Sequence, residues 1–278
     1  PARPTVTQLS ISSNACSRVN SSGGLAPATG RLLCSNHGEF TRPLLTVVTA
    51  FEYTAAMSDS NRLNMDFDKA VVVTPQDQQW VNSPAEGVSR IHLESVAAES
   101  GHTTSLVSFE PGARFAQHDH PLGEELFVLS GTFSDEFGDY PMGSYIRNPP
   151  GSRHSPFSRD GCKLFVKLDQ FLPEDTARVV VRPEDHHWQN GIGNLVVLSL
   201  HEFQAQHTAL VYWPEHERFQ PHCHRGGEEI YVISGEFVDE HGRYPTGTWI
   251  RSPHLSTHFP YVEEETLILV KTGHLPQV

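Results

Sequence analysis

Residues 112 to 131 read Gly112-Ala-Arg-Phe-Ala-Gln-His118-Asp-His120-Pro-Leu-Gly-Glu124-Glu-Leu-Phe-Val-Leu-Ser-Gly131. His118 and His120 are two positions apart, so on an extended strand both imidazoles project from the same face. Glu124 begins the next apolar run after a Pro-Leu-Gly turn, which predicts a second strand. Two imidazoles and a carboxylate on neighbouring strands are able to converge on one cation.

A fourth donor follows in the stretch Gly143-Ser-Tyr-Ile-Arg-Asn-Pro-Pro-Gly-Ser-Arg-His154. A short strand runs there into a Pro-Gly turn that delivers His154. Together the two stretches have the spacing G-x5-H-x-H-x3-E-x6-G and G-x5-P-x-G-x2-H, which is similar to the paired motifs of the cupin superfamily. The resemblance implies a jelly-roll β-barrel that holds a metal ion with His118, His120, Glu124 and His154.

The same pattern recurs once along the chain. Each member of the second copy lies 104 residues after its counterpart, namely His222, His224, Glu228, Gly235, Gly247, Pro253 and His258. A single His-x-His pair is a weak signal in a chain with 17 His among 278 residues, but a constant offset over this many positions is not accidental. The sequence therefore predicts a bicupin with two metal sites per chain, the second formed by His222, His224, Glu228 and His258.

Composition limits the classes of partner and compartment. The formal net charge of −13 argues against nucleic-acid binding, because phosphate contacts need clustered Lys and Arg. Four Cys without a Cys-x-x-Cys pair exclude a disulfide framework and a thiolate zinc knuckle, and they suit a reducing compartment. No apolar run approaches the length of a membrane span. We expect a cytoplasmic protein without nucleic-acid or membrane partners.

The first 56 residues differ from the rest of the chain. Their net charge is +2, against −15 for the remainder, and Ser, Gly, Asn and Thr dominate as far as Asn36. This composition predicts a poorly structured N-terminal segment over residues 1–65. Two explanations stay open: an organelle transit peptide, or a dispensable tail upstream of a natural start at Met57 or Met65.

From Asp66 onward, short β-rich runs are separated by Gly, Pro, Asn and Asp. This pattern is typical of an antiparallel sandwich or barrel, so the predicted fold is all-β, with cupin domain 1 at residues 66–172 and cupin domain 2 at residues 173–278. The run at 124–129 is apolar on both faces, so both faces should be covered. The outer face should pack against the other barrel or against a second subunit of a homodimer.

Longer strings narrow the resemblance. Residues 123–135 read Gly-Glu-Glu-Leu-Phe-Val-Leu-Ser-Gly-Thr-Phe-Ser-Asp, and residues 227–239 read Gly-Glu-Glu-Ile-Tyr-Val-Ile-Ser-Gly-Glu-Phe-Val-Asp. Both resemble the cupin domain of ChrR, the anti-sigma factor of singlet-oxygen responses, and its relatives. The resemblance covers residues 66–278 and implies metal binding by each quartet, with zinc in ChrR itself. The helical His/Cys module with which ChrR grips its sigma factor has no match in residues 1–65.

Several positions depart from the general cupin pattern. Ser158 and Val262 replace the Asn that closes the motif, while His216 and Leu255 replace glycines of the second copy. These departures leave every metal donor intact. They distinguish the surroundings of the second pocket from those of the first.

Three imidazoles and one carboxylate suit several divalent metals. Zinc and iron are the main candidates, with manganese and nickel as alternatives. Four protein ligands would close a tetrahedral zinc site, whereas six-coordinate Fe(II) or Mn(II) would keep two positions open. The residues alone leave the metal undecided.

Three functions stay open at this point. The resemblance to ChrR suggests a metal-binding bicupin with a regulatory or oxidative-stress-sensing role. ChrR-like cupins are also similar to non-haem Fe(II) dioxygenases that cleave a diketone or a hydroxyaryl ketone with O2. A structural or storage cupin is the third. Only the dioxygenase needs open coordination and a roomy, partly apolar pocket.

Overall fold

The computed structural model describes residues 62–97 and 101–277, all within one compact unit. Their regular structure is β-strand apart from one 3-10 helix at Pro183–Asp185, which confirms the predicted all-β class. Within these residues no helix is long and apolar enough to cross a membrane. The predicted N-terminal segment, with its suggested transit peptide, lies outside the described residues up to residue 61.

Ten strands precede residue 170: β1 (Val71–Val73), β2 (Val81–Asn82), β3 (Val88–Ser95), β4 (Thr103–Phe109), β5 (His118–His120), β6 (Glu124–Asp135), β7 (Gly138–Pro141), β8 (Tyr145–Asn148), β9 (Ser152–His154) and β10 (Cys162–Leu168). Eleven follow: β11 (Val179–Val181), β12 (Gln189–Asn190), β13 (Val196–Phe203), β14 (Gln206–Trp213), β15 (His222–Cys223), β16 (Glu228–Ser234), β17 (Glu236–Asp239), β18 (Gly242–Pro245), β19 (Trp249–Ser252), β20 (Thr257–His258) and β21 (Thr266–Thr272). The alternation of short β-branched and aromatic runs with Gly and Pro turns produces this pattern.

Two large antiparallel sheets dominate the fold. One has the order β11-β8-β6-β10-β4-β3-β2, with β7 paired to β6, and the other has the order β1-β19-β16-β21-β14-β13-β12. Three two-stranded sheets complete the halves, formed by β5 with β9, β15 with β20, and β17 with β18. The small sheets β5–β9 and β15–β20 carry five of the six predicted histidines, and His224 directly follows β15.

The first strand of each repeat belongs to the sheet of the other repeat. Strand β1 pairs with β19, so that Val71 lies opposite Arg251, and β11 pairs with β8, so that Val179 lies opposite Arg147. Backbone hydrogen bonds therefore tie the two repeats together in both directions. The domain limits at residues 66–172 and 173–278 remain a prediction about the sequence copies.

Three apolar clusters form the core. One lies inside each barrel, and the third combines residues of both repeats, including Phe127 and Phe165 of the first and Tyr231 and Trp249 of the second. Phe127 and Tyr231 come from the outer faces of β6 and β16, which are covered as expected. The other barrel provides this cover, so it does not require a second subunit.

Ionic groups are buried in the same interface between the repeats, which we call the seam. Its charged side chains are Glu94, Glu125, Asp175, Glu229, Arg147, Lys167, Arg251 and Lys271. Lys271 donates to Glu125 and Lys167 donates to Glu229, so each pair joins one repeat to the other. These eight side chains comprise four acids and four bases, so their formal charges balance within the buried interface.

The two arginines of the seam also donate to buried carboxylates. Arg147 donates to Glu125 at 3.1 Å and to Asp175 at 2.5 Å. Arg251 donates to Glu94 at 2.5 Å. Arg251 therefore holds a carboxylate of the other repeat, whereas Arg147 holds its cross-strand neighbour Glu125 and Asp175, which follows the first repeat.

Candidate metal centres

The first cluster is built by the small sheet β5–β9 and the start of β6. Antiparallel pairing places His118 directly opposite His154, and the period of two brings His120 to the same face. The ring centroids lie 4.8 Å apart for His118 and His120, 5.1 Å for His118 and His154, and 4.9 Å for His120 and His154. Three imidazoles thus form a nearly equilateral triangle.

The donor atoms of this cluster converge. His120 Nε2 lies 3.0 Å from His154 Nε2, and Glu124 Oε2 lies 3.6 Å and 3.5 Å from these two atoms. Nitrogens and oxygens that share one ion at about 2.0–2.2 Å stand roughly 3–3.5 Å apart. The spacing of these three side chains is therefore that of donors around a single ion. His118 completes the group, because one ring nitrogen of each histidine lies within 4.8 Å of the others.

The second cluster repeats the arrangement on β15, β20 and the start of β16. His222 lies opposite His258, with 3.1 Å between the two Nε2 atoms. Glu228 lies 3.2 Å from His224 Nε2 and 3.4 Å from His258 Nε2 through its two oxygens. Both predicted quartets are thus brought together, and Cys223 is not among the grouped donors.

The surroundings of His224 Nε2 indicate whether a cation fits the second cluster. His224 Nε2 is buried and has no hydrogen-bond partner, although Glu228 lies close by. A buried polar atom without a partner costs free energy. A cation held between His224 and Glu228 would satisfy both groups, so the residues present fit a divalent metal ion.

The pKa shifts of the site histidines go in both directions. Burial lowers the pKa of His120, and it lowers the pKa of His222 to about 4 with help from the neighbouring His258 and His224. Burial alone would raise the pKa of Glu228, but His224 and His258 outweigh it and lower the value to about 2. Burial alone would also lower the pKa of His154 and His258, but Glu124 and Glu228 outweigh it and raise both values. Neutral His120 and His222 and ionised Glu228 are in the forms that bind metals.

Outer contacts orient several of these rings. His118 Nδ1 lies 3.0 Å from the carbonyl of Ala116, and His222 Nδ1 lies 3.0 Å from that of Gln220. Asp135 Oδ2 lies 3.4 Å from His154 Nδ1. Asp135 was not predicted as a site residue, although its counterpart Asp239 lies at the same offset of 104 residues, which was the available signal.

The comparison with known families follows from these motifs. The model of the ChrR cupin-like domain matches residues 68–172 and again residues 176–276. The chain belongs to the ChrR cupin-like family. The double match confirms both the family resemblance and the two repeats. A comparison with curated proteins finds no match.

Solved structures share the fold at low sequence identity. A putative dioxygenase from Nostoc punctiforme has 15% identity and a TM-score of 0.63, with 76% of this chain and 85% of that chain covered. Protein YlbA from Escherichia coli has 16% identity and a TM-score of 0.61, with 79% and 97% covered. The pirin YhhW from Escherichia coli, solved in complex with nickel(II), has 16% identity and a TM-score of 0.58, with 76% and 100% covered. These similarities support the cupin fold.

The departures of the second copy are visible in the backbone. Leu255 has a φ of 60° where Gly151 has 81°, and His216 has a φ of 65° where Gly112 has 83°. Both substituted residues therefore keep the left-handed conformation of the glycines they replace, at a cost of about 1–2 kcal/mol each. The turns around the second cluster keep their shape despite the substitutions.

The other two departures are absorbed by the surrounding packing. The Ser158 hydroxyl donates to the carbonyl of Thr132 at 2.7 Å, and Val262 joins the core of the second barrel. Neither residue is needed as a metal donor in its cluster.

The clusters differ in access to solvent. The side chain of His120 is 6% exposed, whereas that of His224 is 24% exposed. Aromatic packing does not differ between them. The Phe115 ring lies 5.4 Å from that of His118 and the Phe133 ring 6.0 Å from that of His154, and the equivalent distances in the second cluster are 4.8 Å for Phe219 and His222 and 6.3 Å for Phe237 and His258. Two surface pockets of the described chain lie elsewhere, against Thr132 and Arg159 and against Trp188 and Tyr212.

Proposed function

We propose that the chain is a metal-binding bicupin with a regulatory role, one divalent ion being held in each barrel by three imidazoles and one carboxylate. The convergence of His118, His120, Glu124 and His154, repeated by His222, His224, Glu228 and His258, carries the proposal. Zinc suits the first quartet, because four protein donors with little solvent access make a closed tetrahedral site. An ion bound there would supply a cross-link between three strands.

A sensing role is supported by how the sites are placed. Aromatic rings lie next to the histidines in both barrels, which limits the room for a ketone beside either cluster. Because the ligands come from different strands, loss of an ion would loosen the small sheet that holds them. A change in metal occupancy would thus be transmitted as a change in local structure.

The experiment is a metal count on matched variants. Protein purified without added metal, or reconstituted with zinc after chelation, should contain two ions per chain by mass spectrometry. His120→Ala and His224→Ala should each leave one ion, and the double variant should leave none. His241→Ala changes an exposed histidine and serves as the control. Two ions retained in His120→Ala, or none in the native protein, would refute the assignment.

A second candidate function is dioxygenase activity at the second cluster. The 24% exposure of the His224 side chain favours it, because O2 and a ketone need a path to the ion. Nε2 itself is buried, so this path would run along the exposed edge of the ring. Oxygen uptake by the Fe(II)-loaded protein with a diketone or hydroxyaryl ketone tests it. Uptake that disappears in His224→Ala but persists in His120→Ala would establish the enzyme, whereas no uptake by fully loaded protein supports the regulatory role.

A further inference from the structure

Asp135 lies behind the first cluster at the end of β6, with its side chain fully buried. Its Oδ1 accepts hydrogen bonds from the Phe137 backbone N–H at 2.8 Å and from the Tyr140 hydroxyl at 3.1 Å. Its Oδ2 faces His154 Nδ1 at 3.4 Å. One oxygen is thus committed to two donors, and the other is left for the imidazole.

Asp239 has the same place behind the second cluster. Its Oδ1 accepts from the backbone N–H groups of His241 and Gly242 at 2.8 Å and 3.0 Å, and from the Tyr244 hydroxyl at 3.0 Å. Its Oδ2 lies 3.8 Å from His258 Nδ1. A carboxylate with one oxygen fixed by the same kinds of donor therefore lies behind each cluster, and its second oxygen is within hydrogen-bond distance of the imidazole in the first cluster and slightly beyond it in the second.

We propose that Asp135 and Asp239 are positioning residues that keep the proton of His154 and His258 on Nδ1. The lone pair of Nε2 then points toward the other donors, since His154 Nε2 lies 3.0 Å from His120 Nε2. The inference rests on the proposed metal binding. It adds the reason why these two histidines present the correct nitrogen before any ion arrives.

The fixed role of Oδ1 makes the tautomer testable with an isosteric change. In Asp135→Asn, the amide oxygen has to stay where Phe137 and Tyr140 donate. The amide NH2 group then faces His154 Nδ1, and two N–H groups cannot point at each other. The imidazole is therefore driven to the tautomer protonated on Nε2, which removes the lone pair from the metal side.

The experiment measures tautomer and affinity separately. Long-range 1H–15N spectra of the metal-free full chain, at about pH 8.5 where imidazoles are neutral, should show His154 protonated on Nδ1 in the native protein and on Nε2 in Asp135→Asn. Competition with a chromophoric zinc chelator should show affinity lost about 10- to 100-fold at one site only. Asp139→Asn removes an exposed carboxylate of the same hairpin and should change neither readout.

Each outcome is decisive. An unchanged tautomer in Asp135→Asn overturns the inference, even if affinity falls, because the carboxylate would then act only on the fold. If the native protein binds no zinc, the proposed function fails while the tautomer spectra still test the role of Asp135. Should Asp135→Asn not fold, the same two measurements on Asp239→Asn and His258 decide, and an Nδ1–H tautomer in that variant contradicts the proposal.

Discussion

At the seam, each repeat makes an equivalent lysine–glutamate contact with the other. Lys167 of the first repeat reaches Glu229 of the second, and Lys271 of the second reaches Glu125 of the first. At the metal clusters the donors, the neighbouring aromatic rings and the carboxylates behind the histidines are also copied, but solvent exposure and one turn residue are not. The His120 side chain is 6% exposed and that of His224 is 24% exposed. In addition, Leu255 of the second copy stands where the first copy has Gly151.

The difference follows from what each residue touches. A seam residue contacts both repeats, so a change on one side leaves a buried charge unpaired on the other. A cluster residue contacts its own barrel alone, so each cluster is free to change in access and support while keeping its donors. The seam therefore preserves symmetry, and the clusters are where the two halves acquire different properties.

The largest expected effect is at the seam. Lys167→Met and Lys271→Met should each destabilise the protein by about 3 kcal/mol, near the lower end of the cost of breaking a buried ion pair, because Arg147 stays beside Glu125 and His274 stays beside Glu229. Urea unfolding gives the free energies. Lys163→Met, on the exposed start of β10, is the control and should have little effect. Strongly unequal losses of unfolding free energy in the two lysine variants would show that the two repeats do not contribute equally to the seam.

Acid should unfold the protein through the same groups. Burial alone would raise the pKa of Glu125, but Lys271 and Arg147 lower it from 4.5 to about 2. A lowered folded-state pKa contributes stability above about pH 4.5, on the order of 3 kcal/mol, and this is lost as the pH falls toward 2.

The measurement is the unfolding free energy between pH 6 and pH 3, at fixed salt, for the metal-free chain. Glu125→Gln should reduce the loss of unfolding free energy at low pH. Glu110→Gln, a change at an exposed residue, should leave that loss unchanged. A native stability that is constant over this range would show that the seam does not depend on ionised Glu125.

Sequence reasoning succeeded where information is repeated along the chain. The offset of 104 residues located His118 and His222, and both reside in the clusters found in the structure. The two-sided apolar pattern of β6 correctly indicated a covered outer face, because burial on both sides removes the polar alternation. Both features are patterns in the order of the residues, which a single sequence contains.

The features it missed depend on distant partners. Nothing in the run Val71–Val73 indicates that it pairs with β19 rather than with its own repeat. Glu125 and Lys271 are 146 residues apart, so their pairing has no local signature. The limits of the strand that carries His118 also depend on its partner strand. The strand begins at His118, and Arg114 forms only an isolated bridge with Phe157.

A residue swap sharpens the contrast between the clusters. Asn148 donates to Glu124 Oε2 at 2.9 Å, while the same register position opposite Glu228 is Ser252. Asn148→Ser should weaken zinc binding at the first site about tenfold, because the carboxylate loses the amide that orients it. Ser252→Asn should strengthen binding at the second site. Chelator competition reports both, and unchanged affinities in the pair would mean that this position does not distinguish the sites.

The smallest expected effect concerns the backbone of the two turns. Leu255→Gly removes a side chain held at a φ of 60° and should stabilise the chain by less than about 1 kcal/mol, since relief of strain is partly offset by the greater freedom of glycine when unfolded. The reverse change, Gly151→Leu, should cost about 1–2 kcal/mol at a φ of 81°, although an added Cβ would meet no neighbour there. Thermal unfolding of the metal-free variants measures both. Stabilisation by Gly151→Leu would mean that the first turn tolerates the conformation as well as the second, and the difference between the clusters would then reside in access and hydrogen bonding alone.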